Sequence, residues 1–407
     1  MGIILALAII GTLVSTLIIG YALYYFEVLG VFELSSDALV ALLFSSLISA
    51  VDPVATLAVF SEIQVDRVLY AIVFGESVLN DAVSISLYQT FLGFVVSEGV
   101  FGFVDLLKAL GIFLGKFTGA LIVGVLIAGF ASFLLKHMKM KEPTLAIVFI
   151  TMTGYIVYSL CEGLKLSGIV GILFCANTLK HYGYYNIESD EGKQSCVDFL
   201  HTGAHLAEGV IYLYLGMAFF IVEHEWNWAF IGLSIFLCLF ARACHVFILC
   251  ALANCKREVK ISPKFQFMIW FSGLRGAIAF ALVLLLPDIP HKNLLVTSTL
   301  VIVVVTTLGI GGSTIYVLDA LNIKIGDTET PEEKMLNKKL KNAESARNSM
   351  KNRFHSLDKN LLLPMLSSKS LYEEPADNEN LKQEVIDEDF VKVTESGSIQ
   401  ELNYLRD

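Results

Sequence analysis

Apolar runs of membrane-crossing length follow one another along this chain. They lie near residues 2–26, 36–60, 68–96, 107–135, 143–161, 164–179, 199–222, 227–252, 265–287 and 293–318. A helix rises 1.5 Å per residue and a bilayer's hydrocarbon core is about 30 Å thick, so about 20 apolar residues cross it. Within that core every backbone N–H and C=O must find a partner inside the protein, which a helix provides within one segment. The sequence therefore predicts an all-α polytopic membrane protein of about ten spans. Composition agrees, with 55% hydrophobic and only 17% charged residues in 407.

The first charged residue is Glu27. Residues 2–26 are too long for a signal h-region and lack a basic n-region, so they are expected to be a span. Between the runs, Lys136, Lys139 and Lys141 fall in one loop, Lys256, Arg257, Lys260 and Lys264 in another, and Lys residues crowd 320–353. A cytoplasmic N-terminus places all of these, and the tail, inside. Three units are expected: a transmembrane domain over 1–319, a basic juxtamembrane helical segment over 320–365, and an acidic disordered tail over 366–407. Residues 331–353 have the composition of a helix that lies on an anionic leaflet, binds a regulatory protein, or is simply solvated. Residues 373–407 hold eleven acidic against three basic residues, a composition that resists folding.

Several classes are excluded. Seven cysteines include no C-x-x-C pair, so neither a disulfide framework nor a zinc site is expected. Gly309-Ile310-Gly311-Gly312 lacks the Lys-Ser/Thr ending of a phosphate loop and reads as packing, so nothing in this chain supports transport driven by ATP. His201, His205 and Glu208 share a helix face but lack the further ligand a zinc ion needs; a core or interface role, or pH sensing, fits them better. There is no nucleophile and base of catalytic spacing, no cofactor is expected, and nothing points to nucleic acid. Gly111, Gly115 and Gly119, four apart, predict a packing face within the bundle or a dimer seam.

The chemistry concentrates in three spans. Residues 74–81, Phe-Gly-Glu-Ser-Val-Leu-Asn-Asp, set two carboxylates inside the third run. A carboxylate at mid-bilayer costs about 3 kcal/mol on insertion scales, so it ordinarily lines a polar cavity. Ser77 and Asp81 share one helix face, Glu76 and Asn80 the adjacent one. Together they gather the oxygens a hard cation wants, and desolvation brings a carboxylate's proton into competition with that cation. In the second run, Pro53 breaks the helix beside Asp52. Broken helices at mid-depth are where transporters build ion sites, although Asp52 also suits an N-cap. In the ninth run, Gly273 and Gly276 flank Arg275 and permit unwinding. Arg242 and Glu208 are further intramembrane charges. Glu76, Glu208 and Asp52 are all candidate partners for the two arginines, and the sequence does not assign them.

Three blocks carry a family resemblance: residues 47–55, 74–81 and 271–280. With weaker similarity over roughly 1–320, the chain resembles the eukaryotic sodium/proton exchangers, within the monovalent cation/proton antiporters. Residues 357–364 are similar to a tail motif of the family's organellar branch. The resemblance implies an inverted-repeat antiporter fold with crossing broken helices and elevator-like motion against a dimerisation domain. It implies electroneutral exchange of Na⁺ or K⁺ for H⁺ at Asp81, with Asn80 completing the Asn-Asp pair and Asp52 and Ser77 lining the site. Glu76, Glu208, Arg242 and Arg275 would be polar partners, and the chain a homodimer. A Golgi or endosomal membrane is implied, with the plasma membrane as the alternative. The family carries about three more spans ahead of residues 2–26, so an N-terminally truncated chain is expected. An ion sensor, or a non-transporting fragment that joins a full-length exchanger, is the alternative function.

Overall fold

The computed structural model describes residues 2–34, 38–96, 103–138, 142–187, 190–255, 260–321, 323, 358 and 362–367. Among these the chain forms helices and no strand. In order they are α1 (Gly2–Val28), α2 (Ala38–Ile48), α3 (Val54–Glu62), α4 (Arg67–Val96), α5 (Phe103–Met138), α6 (Pro143–Gly163) and α7 (Gly168–Thr178). Then follow α8 (Asp190–Ile221), α9 (Trp228–Asn254), α10 (Pro263–Phe271), α11 (Ala277–Leu284), α12 (Lys292–Gly311), α13 (Thr314–Leu321) and the single turn α14 (Leu363–Leu366). Seven of the described helices are long and apolar enough to cross a membrane.

The three remaining apolar runs are shaped differently. In the runs at 36–60 and 265–287, each read from sequence as one, the described residues form pairs of half-helices, α2/α3 and α10/α11. The run at 164–179 becomes the short helix α7, lengthened by a π-helical turn, Leu179–Gly183. The run at 199–222 starts earlier, at Asp190, because a polar first two turns are helical without being apolar. The segment 331–353 and the acidic residues 373–407 lie outside the described residues.

Local sequence sets several boundaries. Ser262 caps α10, its Oγ accepting from the Phe265 amide at 3.3 Å, with Pro263 in the first turn. Asn227 caps α9 in the same way through the Phe230 amide at 3.1 Å. Every residue from Leu39 to Ile48 is buried, which explains an apolar run with no polar face.

Two groups of helices result. One core cluster joins α1, α2, α4, α9, α11 and α12 through Leu23, Phe44, Phe91, Phe230, Phe280 and Leu295. The order helix, broken helix, helix thus occurs twice: α1, α2/α3, α4 and α9, α10/α11, α12. A second cluster joins α5, α6 and α7 and takes in Ala82 of α4. The glycine face expected on α5 is used only at its inner end. Gly119 packs on Leu166, whereas Gly111 and Gly115 face open space. Helix α5 comes close to α7 at Gly124, where a Cβ would strike the Gly171 carbonyl.

Candidate functional site

The two helix breaks meet. Helix α2 ends at Ile48 and α3 begins at Val54; α10 ends at Phe271 and α11 begins at Ala277. Pro53 has no N–H to continue α2, and Gly273 and Gly276 supply the second break. The Asp52 amide donates to the Leu274 carbonyl at 3.0 Å, tying the breaks together. The glycines are needed for this approach: a Cβ at Gly276 would run into the Asp52 carboxylate, and one at Gly273 into Arg242.

Four half-helices ending at mid-depth leave two sets of unpaired carbonyls and two of unpaired amides. Charged side chains answer each. Arg275 Nη1 donates to the Ser49 and Ala50 carbonyls at 3.1 and 3.2 Å, beyond the end of α2. Arg242 does the same for α10, through Nε to the Trp270 carbonyl at 3.0 Å and Nη2 to Ile269 at 2.7 Å. Asp52 accepts from the Ala277 amide at 3.3 Å and from Val54, at the starts of α11 and α3. Cations thus sit at helix C-termini and an anion at N-termini, the favourable sense for the helix dipoles.

The structure also assigns the ion pair that the sequence leaves open. Arg242 Nη1 and Nη2 lie 3.1 and 3.4 Å from the two Glu76 oxygens, with both side chains buried. Among the described residues Glu208 pairs with neither arginine. It is half-buried, 3.8 Å from His205, and within electrostatic reach of Asp52. The His201 and His205 rings stack edge-on, and no cluster of three metal-ligating side chains occurs among the described residues.

Helix α4 lays its polar face on this crossing. Ser77 Oγ donates to the Val51 carbonyl at 3.2 Å, and Asn80 Nδ2 to the Ser49 carbonyl at 3.3 Å. Because that carbonyl only accepts, the Asn80 amide orientation is fixed, and its oxygen receives the Thr12 hydroxyl at 2.5 Å. One turn on, Asp81 differs from all of these. Its Oδ1 is buried and accepts no hydrogen bond among the described residues, while the Asp52 charge acts on it across the crossing.

Sequence reasoning passed over Thr12, Thr16, Thr306, Thr307 and Tyr212. Thr16 donates to Ser49 Oγ at 3.2 Å. Thr306 accepts from the Arg275 amide at 3.1 Å and Thr307 donates to the Arg275 carbonyl at 3.2 Å. Tyr212 lies within electrostatic reach of Asp52 and Glu208. A signal existed for α1: Thr12, Ser15 and Thr16 stand at helical spacing in an otherwise apolar run.

Residues 1–320 match the family model of the sodium/hydrogen exchanger transmembrane domain. The chain belongs to the sodium/hydrogen exchanger family. It is 39% identical to human sodium/hydrogen exchanger 8 over 325 residues, 78% of this chain and 55% of that protein. It is 36% identical to human sodium/hydrogen exchanger 9 over 394 residues, 90% of this chain and 60% of that one. The chain therefore spans about half the length of the curated relatives it matches. Among solved structures, the sodium proton antiporter MjNhaP1 from Methanocaldococcus jannaschii matches with a TM-score of 0.54 and 20% identity, over 79% of each chain. The antiporter fold follows: an all-α membrane domain of two repeats with crossing broken helices. Its family is one of secondary transporters, not enzymes.

Proposed function

We propose that this chain exchanges Na⁺, with K⁺ as the alternative cation, for H⁺ across a membrane at Asp81. The observation that carries the proposal is the Asp81 carboxylate, whose buried Oδ1 accepts no hydrogen bond among the described residues, beside a crossing where Asp52, Glu76, Arg242 and Arg275 each hold backbone or side-chain partners. Ser77 Oγ keeps lone pairs after donating to Val51, so it suits a ligand, as does an Asp52 lone pair. Asn80 contributes by holding α4 against the crossing, its amide spent on Ser49 and Thr12.

Charge bookkeeping supports one-for-one exchange. Glu76 and Arg242 cancel. At the crossing itself Asp52, Asp81 and Arg275 sum to one negative charge, which a single proton or a single monovalent cation would neutralise; Glu208 adds its field from beside His205. Deprotonated Asp81 takes the cation, the site turns to the other side, and protonation releases it. Such exchange would regulate organelle or cell pH. The family resemblance supports a homodimer in a Golgi or endosomal membrane, and the composition of 331–353 supports contact with anionic lipid or a regulatory protein.

The test is proton release from the purified chain in weakly buffered detergent. Adding Na⁺ at a pH where Asp81 is protonated should liberate about one H⁺ per chain, and none from Asp81→Asn. Equal release from both proteins would remove Asp81 from the proposal.

A further inference from the structure

Outside the ion site, a short part of the tail is seated on the membrane domain. Asp358 and residues 362–367 lie against the last turns of α5 and the turns that follow α7, on the side assigned as cytoplasmic from the basic loops. Tyr182 Oη donates to Asp358 Oδ1 at 2.5 Å, and His181 Nε2 stands 3.4 Å from Oδ2. Lys136 Nζ donates to the Pro364 carbonyl at 2.5 Å and lies 3.5 Å from that of Met365. Asn186 Nδ2 bridges the Leu366 carbonyl at 2.8 Å and the Ser132 carbonyl at 2.9 Å. Leu366 and Ser367 are buried, and the Leu366 side chain reaches Gly129, where α5 presents no side chain.

The receptor therefore has three parts: a phenol and imidazole for one carboxylate, a lysine and an amide for the carbonyls that end a one-turn helix, and a bare helix surface for one leucine. These are complementary groups contributed by α5 and by the turns after α7. The same two helices form the apolar cluster that contains Ala82, the neighbour of Asp81. A segment holding their cytoplasmic ends together stiffens the surface against which α4 must move for the site to change sides.

We propose that Asp358 and residues 362–367 form an intramolecular docking segment, that the groove of Gly129, Ser132, Lys136, Tyr182 and Asn186 is its receptor, and that docking restrains turnover. The second half of that statement rests on the exchanger reading above. Its function is then to let whatever engages the tail set the transport rate by lifting the segment off.

The experiment uses the full chain in proteoliposomes and two readouts. Hydrogen exchange of the amides in 362–367 reads docking directly; cation-driven proton flux reads turnover. Tyr182→Phe, which changes only the receptor, and Asp358→Asn, which changes only the segment, should each speed that exchange by about tenfold or more. Each should also raise flux about fivefold, with thermal stability of the membrane domain retained. Leu366→Asp serves as the stronger variant. Exchange in 362–367 as fast in the unmodified chain as in Leu366→Asp would overturn the docking. Faster exchange with unchanged flux would overturn the restraint. If the unmodified chain shows no Asp81-dependent flux, the exchanger reading and the restraint that rests on it both fall, while the exchange data still judge the docking.

Discussion

Two carboxylates meet at the helix crossing and differ in what they hold. Asp52 accepts the amides that open α3 and α11, so part of its charge is spent on helix termini. Asp81 keeps a buried oxygen without a donor among the described residues. Asp81→Asn is isosteric and should leave the fold intact while reducing cation-driven flux to that of protein-free vesicles; retained flux would contradict the assignment. The Glu76–Arg242 pair makes a different prediction. Removing one partner strands the other as a buried charge, a loss of about 3–5 kcal/mol. Arg242→Ala should therefore lower the thermal midpoint in detergent sharply, because it also releases the Ile269 and Trp270 carbonyls. Glu76→Gln, which keeps shape and a hydrogen-bond acceptor, should cost less. Equal losses would mean that the carbonyl contacts contribute nothing. At this scale the sequence displayed Asp81, Asp52 and both arginines plainly, since charges in apolar runs stand out. It could not display that Arg242 takes Glu76 while Arg275 takes backbone carbonyls. That choice depends on which half-helix ends point at which guanidinium, and only the assembled crossing determines it.

Among the elements, the breaks matter more than the helices. Pro53 announced the first break in the sequence, and Gly273 and Gly276 the second. That they meet is a property of the folded chain. A Cβ at Gly276 would overlap the Asp52 carboxylate, so Gly276→Ala should push the two breaks apart and cut flux at least about tenfold. Gly111→Ala, on the same chain but in open space, should leave flux unchanged. An equal effect of the two would show that helix flexibility, and not the close approach, is what Gly276 provides. The same contrast explains why the glycine face on α5 was only partly legible. Four-residue spacing identifies a smooth surface but not how far a neighbour extends along it, and Leu166 reaches only Gly119. The polar start of α8 was missed for the complementary reason: hydropathy marks what lies in lipid, and helices continue beyond it.

For the whole molecule, charge balance links the site to transport. In the proposed exchange, Asp81 takes either a proton or a monovalent cation. Two consequences are measurable. If protons and cations compete for Asp81 from the same side, as proposed, the apparent KM for Na⁺ should rise as pH falls, by up to about tenfold per unit once the site is mostly protonated. A KM independent of pH would mean separate sites. Turnover should also be indifferent to membrane potential, because equal positive charge crosses in each direction. The most direct measurement is proton flux in vesicles with an imposed Na⁺ or K⁺ gradient and the voltage clamped, for this chain and for Asp81→Asn. The account predicts cation-driven proton movement at a rate unchanged by voltage and absent in the variant. Flux that survives the substitution, or none from a folded and inserted chain, would contradict it.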